Sequence, residues 1–373
     1  MLPLVVFVLA AAASLATSWL LVSRLERIGE RLGLSEALLG ILAALAADAP
    51  EITAAISALT SHEQSVGAGV VLGSNVFNLA ALLGLGAVVA GQIMLFRKVV
   101  ALGGSVAMLI ALCCLVVVTG LLPVAVGLAI ALVVLAGYLV LLGTEGQGLE
   151  RLRLPGGVLT WLRSAVTEEE IELEEAIRPQ RGRWPDAVLA FGALIVVVGV
   201  SVVMERSAAR LGTRYGIPEI VIGGLVLAAV TSLPNAVSAV YLAGRGRGAA
   251  TLSTALNSNT INVVVGLLLP GLILGLGRTA VPTELVMWWY AGLSAAVLAL
   301  AYWHRGLSRR AGSLVIAAYA AFTVSVLVTG YALPGYQWTI IALSVGSALL
   351  LTAAIPAGLR RPAAVSAAET EPR

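Results

Sequence analysis

The sequence predicts an all-α polytopic membrane protein with two inverted five-helix repeats and one extra C-terminal span, about 11 transmembrane helices in all. Two observations predict this fold. Hydrophobic residues make up 59% of the 373 residues and charged residues only 12%, with a mean hydropathy of +0.99. A polar motif in the first half of the chain also recurs in the second half at a fixed offset. The composition excludes a soluble domain.

The apolar runs have the length of helical membrane spans. A bilayer core about 30 Å thick needs roughly 20 apolar residues per helix, whereas barrel strands alternate over about ten residues. The runs are continuously apolar, which favours helices. We predict spans near 3–22, 34–60, 66–92, 99–120, 122–143, 186–205, 217–243, 249–276, 283–303, 311–330 and 338–358.

The basic residues indicate the orientation of these spans. They concentrate in the connections after spans 1, 3, 5, 7 and 9 and are absent after spans 2, 4 and 10. The positive-inside rule then places the N-terminus outside and the C-terminus in the cytoplasm. No Lys or Arg precedes the first apolar run, so we interpret that run as a span and not as a signal peptide. An odd number of spans per repeat inverts the second repeat relative to the first.

The predicted units follow from these runs. An acidic run at 168–175 is either a solvated helix near the membrane, the interpretation that its residue spacing favours, or a regulatory cation site. The units are a first repeat at 1–143 with its motif at 41–80, a cytoplasmic acidic loop at 144–185, a second repeat at 186–330 with its motif at 224–264, an extra transmembrane helix at 331–358, and a disordered cytoplasmic tail at 359–373.

The recurring motif keeps its register across the chain. Each copy has a Pro inside an apolar run, followed by a Ser-Asn pair and a further Asn. An internal repeat with helices interrupted at matching positions is a pointer to the binding site of a transporter. The matching residues, each pair 184 positions apart, are Pro50 and Pro234, Ser74 and Ser258, and Asn78 and Asn262.

The first copy of the motif places two acids in mid-span. An ionisable residue there costs at least about 2.5 kcal/mol on insertion scales, and Asp48 and Glu51 share one helix face at i and i+3. Two carboxylates so close cannot both be ionised without a cation or a proton between them. Pro50 lacks an N–H and opens the helix one turn earlier, which frees backbone carbonyls. Carboxylate and carbonyl oxygens are the ligands of hard cations such as Ca²⁺, Na⁺ and Mg²⁺.

The second copy offers neutral oxygens around the same kind of break. In membrane helices a single Pro is commonly only a kink, and hydroxyl and amide side chains commonly bond neighbouring helices. The repeat and the two acids together favour an ion site. Its other candidate ligands are Thr231, Ser232 and Asn235 beside Pro234, and the pairs Ser74 with Asn78 and Ser258 with Asn262 on the following spans.

The paired motifs resemble a known family. Each Pro-centred motif is followed, 23 residues after Glu51 or Asn235, by a Gly-Ser-Asn or Asn-Ser-Asn triplet. This pattern is similar to the alpha repeats of the cation/calcium antiporter superfamily, which includes the sodium/calcium exchangers. The resemblance implies a ten-helix core. In it, the second, third, seventh and eighth spans form a central ion pocket, and the first and sixth slide across them to give alternating access.

The resemblance also implies a set of ion ligands, from which this chain departs at two places. Where the family has Gly-Thr-Ser before the first Pro, this chain has Ala46, Ala47 and Asp48, and where the family has an acid after the second Pro it has Asn235. One carboxylate has therefore moved between the repeats. The formal charge of −2 matches one Ca²⁺, two Na⁺ or two protons. The ligand positions implied are Glu51, Ser74, Asn78, Thr231, Ser232, Ser258 and Asn262.

These observations predict a secondary active cation antiporter, which exchanges Ca²⁺ for Na⁺ or H⁺ and is not an enzyme. We expect no cofactor, with inorganic cations and the lipid bilayer as partners, no nucleic acid, and a location in a prokaryotic plasma membrane. The oligomeric state stays open. The alternatives are an exchanger of Na⁺ for H⁺ or of another divalent such as Mg²⁺, and a transport-inactive scaffold or sensor with the same fold. An intramembrane hydrolase is disfavoured because two acids on one helix cannot flank a scissile bond.

Overall fold

The computed structural model describes residues 2–34, 36–143, 155–176, 182–246, 248–276 and 281–357. In these ranges nine helices are long and apolar enough to cross a membrane, and two bent helix pairs bring the number to eleven. The predicted all-α polytopic fold with about 11 spans is therefore confirmed. The predicted tail at 359–373 and much of the predicted loop at 144–185 lie outside the described residues.

The first half contains six helices, a seventh follows it, and one short strand lies among them. They are α1 (Leu2–Leu32), α2 (Glu36–Ala47), α3 (Ala49–Thr60), α4 (Gln64–Ala90), β1 (Gln92–Met94), α5 (Arg97–Val118), α6 (Val124–Gly143) and α7 (Gly156–Ala176).

The second half repeats the order of the helices without the equivalent of α7 and adds one helix at its end, while its strand lies one helix later in the order than β1 does in the first half. Its elements are α8 (Trp184–Tyr215), α9 (Glu219–Thr231), α10 (Leu233–Gly244), α11 (Gly248–Ile261, continued by Asn262–Leu268 and Leu269–Leu274), α12 (Val281–His304), β2 (Gly306–Ser308), α13 (Arg309–Gly330) and α14 (Tyr336–Ala357).

The third and eighth spans lie at the centre of the molecule. Within an apolar stretch of 18 residues in each helix, 94% of α4 and 78% of α11 are buried, compared with 6% of α14. A helix that is buried all round faces protein and not lipid. The polar residues of α4 and α11 therefore lie inside the helix bundle, and the extra span α14 lies at its edge.

Both halves contain a broken span at the predicted Pro. The pair of helices around Asp48 is bent by 49° and the pair around Ser232 by 47°. Pro50 and Pro234 each lie in the first turn after the break, where their missing N–H is tolerated. The predicted opening of the helix before each Pro is thus confirmed.

The first helix of each half is longer than the sequence predicts. The predicted spans end at 22 and 205, yet α1 and α8 run on to Leu32 and Tyr215 and reach about 47 Å, well beyond a bilayer core. Charged residues in the last turns made these extensions look like loops. The two helices pack along each other, and the hydroxyls of Ser14 and Ser201 approach to 3.4 Å between them.

One element is absent from the sequence prediction. Strands β1 and β2 pair antiparallel, with Ile93 opposite Leu307. They join the connections that follow the third and ninth spans. Each strand has only three residues, too few for a periodic pattern to reveal them.

The segment between the halves packs on the membrane helices. In α7, Ala165 and Val166 are buried in a cluster with Leu102 of α5 and Leu142 of α6. Lys98 Nζ lies 2.8 Å from Glu168 Oε1. The first acid of the predicted acidic run is therefore paired with a base, while the side chains of residues 169–175 lie outside the described residues.

Close backbone contact between α4 and α9 generates a testable prediction. A Cβ at Gly73 would lie 2.7 Å from Gly224 Cα, a distance that real Cβ atoms do not show. Overpacking typically costs about 1–3 kcal/mol, so Gly73→Ala should lower the thermal unfolding midpoint of the purified protein. Gly199→Ala in α8 is the matched control because its Cβ would meet no atom within 4 Å. Equal midpoints for the two variants would contradict the close contact.

Candidate ion-binding site

The two helix breaks have the same backbone geometry. Asp48 has φ −82° and ψ −4°, and Ser232, at the matching position 184 residues later, has φ −81° and ψ 0°. In each half a Pro follows two residues later, so the N–H that would continue the helix is missing. The duplication seen in the sequence therefore extends to the backbone conformation.

Asp48 and Glu51 accept hydrogen bonds from the second repeat. Ser232 Oγ donates to Glu51 Oε1 at 2.8 Å, and Asn235 Nδ2 donates to Asp48 Oδ1 at 2.7 Å. Ser258 Oγ also donates to Asp48 Oδ1, at 2.6 Å. These five side chains are almost completely buried. The first repeat supplies the acceptors and the second the donors, so the two motifs fit each other across the breaks.

Four asparagines join α4 to α11 in a pseudo-twofold arrangement. Asn75 Nδ2 donates to the backbone oxygen of Asn259 at 3.1 Å, and Asn259 Nδ2 returns a bond to the backbone oxygen of Asn75 at 3.2 Å. Asn78 Nδ2 donates to Asn259 Oδ1, and Asn262 Nδ2 donates to Asn75 Oδ1. Asn78 also donates to Ser258 Oγ at 3.0 Å. The four hydrogen-bonded asparagines are therefore linked through Ser258 to Asp48.

The roles of the four asparagines differ. Asn75 and Asn259 both donate through Nδ2 and accept through Oδ1, so they hold the two helices together. Asn78 and Asn262 donate, but no donor among the described residues reaches their Oδ1 atoms. In both halves a π-helical segment lies at this point, at Leu79–Leu85 and Asn262–Leu268. Such segments are frequent at functional sites.

Several buried oxygens of this site have no hydrogen-bond donor among the described residues. A buried oxygen without a donor or a cation is costly, above all on a carboxylate. Because an ionised carboxylate only accepts, the amide of Asn235 must turn its nitrogen toward Asp48 and its oxygen away. The five donor-less oxygens are Asp48 Oδ2, Glu51 Oε2, Asn78 Oδ1, Asn235 Oδ1 and Asn262 Oδ1.

Two predicted ligands make different contacts. Ser74 Oγ donates to Val70 O at 2.7 Å, and Thr231 Oγ1 donates to Leu227 O at 2.9 Å, each within its own helix. Both residues are buried, but neither hydroxyl hydrogen-bonds the cluster around Asp48. The structure thus joins Asp48, Asn235, Ser258, Asn78 and Asn262 in one hydrogen-bonded network that passes through Asn75 and Asn259. Glu51 pairs separately with Ser232, and the hydroxyls of Ser74 and Thr231 stay in local bonds.

The donor set fits a hard cation. Its atoms are carboxylate, amide and hydroxyl oxygens, the ligands that Ca²⁺, Na⁺ and Mg²⁺ prefer. Among the described residues no three His, Cys, Asp or Glu side chains form a cluster. The salt bridges formed there involve neither Asp48 nor Glu51. The charge of these two acids is therefore balanced by no cationic side chain in the described part of the chain.

Sequence reasoning did not assign Asn75 and Asn259 to the site, nor a third buried acid, Glu205. The two asparagines belong to the repeated triplets, so the 184-residue offset was an available signal. Glu205 lies in α8, is 1% exposed, and accepts a bond of 2.6 Å from Ser57 Oγ of α3. Its neighbour Arg206 made this position look like the end of a span.

An acid also marks the turn between α3 and α4. The pKa of Glu63 is raised by burial and by the nearby Glu219 carboxylate.

Comparisons with known proteins agree with this description. The sequence model of the family described as "Sodium/calcium exchanger protein" matches residues 2–144 and 186–328. Sodium/potassium/calcium exchanger 1 of Mus musculus is 32% identical over 100 residues, which are 27% of this chain and 9% of that protein. Sodium/potassium/calcium exchanger 2 of Homo sapiens is 35% identical over 83 residues, 22% of this chain and 13% of that protein. The chain therefore matches only about a tenth of the length of these curated relatives.

Solved structures share the fold. The crystal structure of the H⁺/Ca²⁺ exchanger CAX has a TM-score of 0.66 at 15% identity and covers 94% of this chain and 92% of its own. The sodium-calcium exchanger NCX_Mj, soaked with 2.5 mM Na⁺ and 1 mM Sr²⁺, has a TM-score of 0.57 at 19% identity and covers 87% of this chain and 98% of its own. At such identities the likeness concerns the fold alone.

The repeat supplies a matched pair of variants to test the site. Ser258 donates to Asp48, whereas Ser74, its equivalent in the first repeat, donates only within its own helix. A hydrogen bond to a charged group contributes about 1.5–3 kcal/mol, so Ser258→Ala should weaken Ca²⁺ binding by about tenfold or more. Ser74→Ala should change it much less. Calcium titration of the purified protein measures both values, and equal losses would contradict the assigned roles.

Proposed function

Because the chain belongs to the sodium/calcium exchanger protein family, we propose that it is a secondary active antiporter that exchanges Ca²⁺ for Na⁺ or H⁺ at the site around Asp48 and Glu51. It carries out no chemical conversion and needs no cofactor. Its substrates are the inorganic cations themselves. It lies in a prokaryotic plasma membrane, with the N-terminus outside and the C-terminus in the cytoplasm.

One observation carries this proposal. Among the described residues, two buried carboxylates keep one oxygen each without a donor, and three amide oxygens of the repeated motifs are also unpartnered. Ca²⁺ takes about 6–8 oxygen ligands in flexible geometry. Five side-chain oxygens, with the hydroxyl and backbone oxygens nearby, supply a set of that size. Two protons or two Na⁺ satisfy the same carboxylates when Ca²⁺ leaves.

The charge count sets the stoichiometry. With Asp48 and Glu51 as the acids of the site, a formal charge of −2 balances one Ca²⁺ or two monovalent ions. The exchange then moves no net charge across the membrane. A relative that carried a third monovalent ion would move one charge per cycle, and that charge is worth about 2.3 kcal/mol per 100 mV.

Alternating access uses the helices that pack around this site. Helices α1 and α8 pack along each other, and α8 also packs on α3, which begins directly after Asp48. We assign them the sliding movement that exposes the site in turn to each side. The bond from Ser57 to Glu205 then links the moving helix to the broken span.

Proteoliposomes test the proposed activity. Vesicles loaded with Ca²⁺ are placed under a Na⁺ gradient, under a pH gradient, and under an imposed membrane potential alone. We expect Ca²⁺ flux with one of the first two gradients and none driven by the potential. If the vesicles transport Mg²⁺ but not Ca²⁺, or exchange Na⁺ for H⁺ without moving Ca²⁺, then Ca²⁺ is not the substrate. No cation flux in any condition would favour a transport-inactive scaffold.

Removing either acid should abolish exchange. Asp48→Asn and Glu51→Gln each leave one negative charge, which balances neither Ca²⁺ nor two monovalent ions. We therefore expect loss of Ca²⁺ flux in both variants, measured in the vesicles described above. Glu168→Gln, outside the site, is the control and should retain flux. Wild-type flux in Asp48→Asn would disprove the idea that a site carboxylate moved to the first repeat.

The hydrogen-bonded pair Asp48 and Asn235 allows a charge swap. Asn235 Nδ2 lies 2.7 Å from Asp48 Oδ1, so the double variant Asp48→Asn with Asn235→Asp returns the carboxylate across that contact and keeps the charge at −2. We expect it to recover part of the flux that Asp48→Asn loses. Asn235→Asp alone has a charge of −3 and should make exchange sensitive to membrane potential. A double variant as inactive as the single one would contradict the charge argument.

A further inference from the structure

A groove on the outer face of α12 lies away from the ion-binding site. On one side of this helix a cavity of about 330 Å³ lies against α5, and on the other a cavity of about 530 Å³ lies against α14. Ala295 and Ala299 line both cavities. The two cavities therefore flank a single strip of small side chains on α12, and together they form one groove.

The lining of this groove is apolar. The wall from α5 includes Ala101, Gly104 and Met108, which recur at the spacing of one helix face. Gly292 and Leu351 line the side toward α14, the span outside the matched family residues. In a membrane-spanning protein the solvent at such a groove is hydrocarbon. Cavities of about 300–1,000 Å³ are of the size that binds small molecules.

The α5 side of the groove ends at a guanidinium group. Arg97, the first residue of α5, lies one turn before the groove-lining Ala101, on the same helix face. Its guanidinium carbon lies 5.5 Å from the ring centroid of Tyr302, and its Nε and Nη2 donate to the backbone oxygens of Tyr302 and Trp303. Tyr302 and Trp303 also line the groove. The charge is thus fixed where the apolar lining ends.

This end of the groove carries positive charge, and among the described residues no ion pair involves Arg97. Two of the five N–H donors of Arg97 are used by the backbone, so its outer donors face away from the protein. The neighbouring Lys98 is neutralised by Glu168. Leu95 N donates to Arg305 O at 3.0 Å, so the β1–β2 ladder brings a second exposed Arg to the same end. Tyr and Trp are typical of the level of lipid headgroups.

We propose that this groove binds one anionic phospholipid of the bilayer. Its acyl chains lie on the two sides of the Ala295–Ala299 strip, and its phosphate lies at Arg97. An apolar groove that ends in an arginine stacked on the ring of Tyr302 matches a molecule with hydrocarbon chains and one anionic headgroup. Basic pockets between membrane helices are known sites for such headgroups. The bound lipid fills the space between the matched core and α14 and holds the extra span in place.

Native mass spectrometry of the detergent-purified chain tests this proposal. The protein is titrated with phosphatidylglycerol or phosphatidylcholine of identical acyl chains, and the retained lipid is counted. We expect one phosphatidylglycerol to bind more tightly than phosphatidylcholine. Arg97→Gln should weaken phosphatidylglycerol binding about fivefold, the effect of one basic residue at an anionic surface. It should weaken phosphatidylcholine binding less, because the choline ammonium already offsets the phosphate of that lipid. Arg97→Lys should retain most of the preference.

The chain offers a matched control for the charge. Arg245 lies 4.3 Å from the ring centroid of Tyr241, a similar cation–π pair away from the groove, so Arg245→Gln should leave lipid binding unchanged. Ala299→Trp fills the groove and should weaken the binding of both lipids. If Ala299→Trp does not stay monodisperse, Ala101→Phe fills the groove from the opposite wall and serves as the test. Equal binding of the two lipids by wild type, equal losses in Arg245→Gln and Arg97→Gln, or full competition by inorganic phosphate would overturn the proposal.

Discussion

The burial of two carboxylates, with no cationic side chain paired to them in the described part of the chain, is the constraint on which the rest of the structure depends. Asp48 and Glu51 are fully buried in a membrane-spanning helix pair, and each is hydrogen-bonded through only one oxygen. In hydrocarbon such charge persists only when another charge or a set of dipoles compensates it. Three side-chain donors of the second repeat provide the dipoles. In the proposed exchange, a cation or proton that binds reversibly neutralises the remaining charge.

The duplication supplies a symmetric frame, and the side chains break its symmetry. The two breaks have almost equal bend angles of 49° and 47°, and Asn75 and Asn259 hold the central helices by reciprocal bonds. Within this frame the hydroxyl of Ser258 donates to the carboxylate of Asp48, whereas the hydroxyl of Ser74 donates to a backbone oxygen of its own helix. The cause is the position of the acids. The residue equivalent to Asp48 in the second repeat is the neutral Ser232, so Ser74 meets no charged acceptor at the position that matches the partner of Ser258.

Periodic and covalent features of the sequence predicted the spans and both breaks, because apolar run length and a missing N–H at Pro50 and Pro234 act locally. The pairing of Asp48 with Asn235 was beyond such reasoning. It depends on how two segments 187 residues apart approach each other. The same holds for Glu205, whose partner Ser57 is distant in the chain. In the sequence, the acid Glu205 next to Arg206 suggests the end of a span. Only the packing of the folded chain shows that Glu205 is buried.

Glu205 limits how α8 can move. Its bond with Ser57 joins α8 to the helix that follows Asp48, and both residues are buried. Displacement of α8 along α3 separates the pair, and a carboxylate left without its donor costs about 1–3 kcal/mol. Binding or release of an ion at Asp48 and Glu51 alters the charge on the same broken span and can offset a cost of this size. In the proposed mechanism, the Ser57–Glu205 bond and the ion site therefore act on one helix, so that occupancy of the site would be coupled to the position of α8.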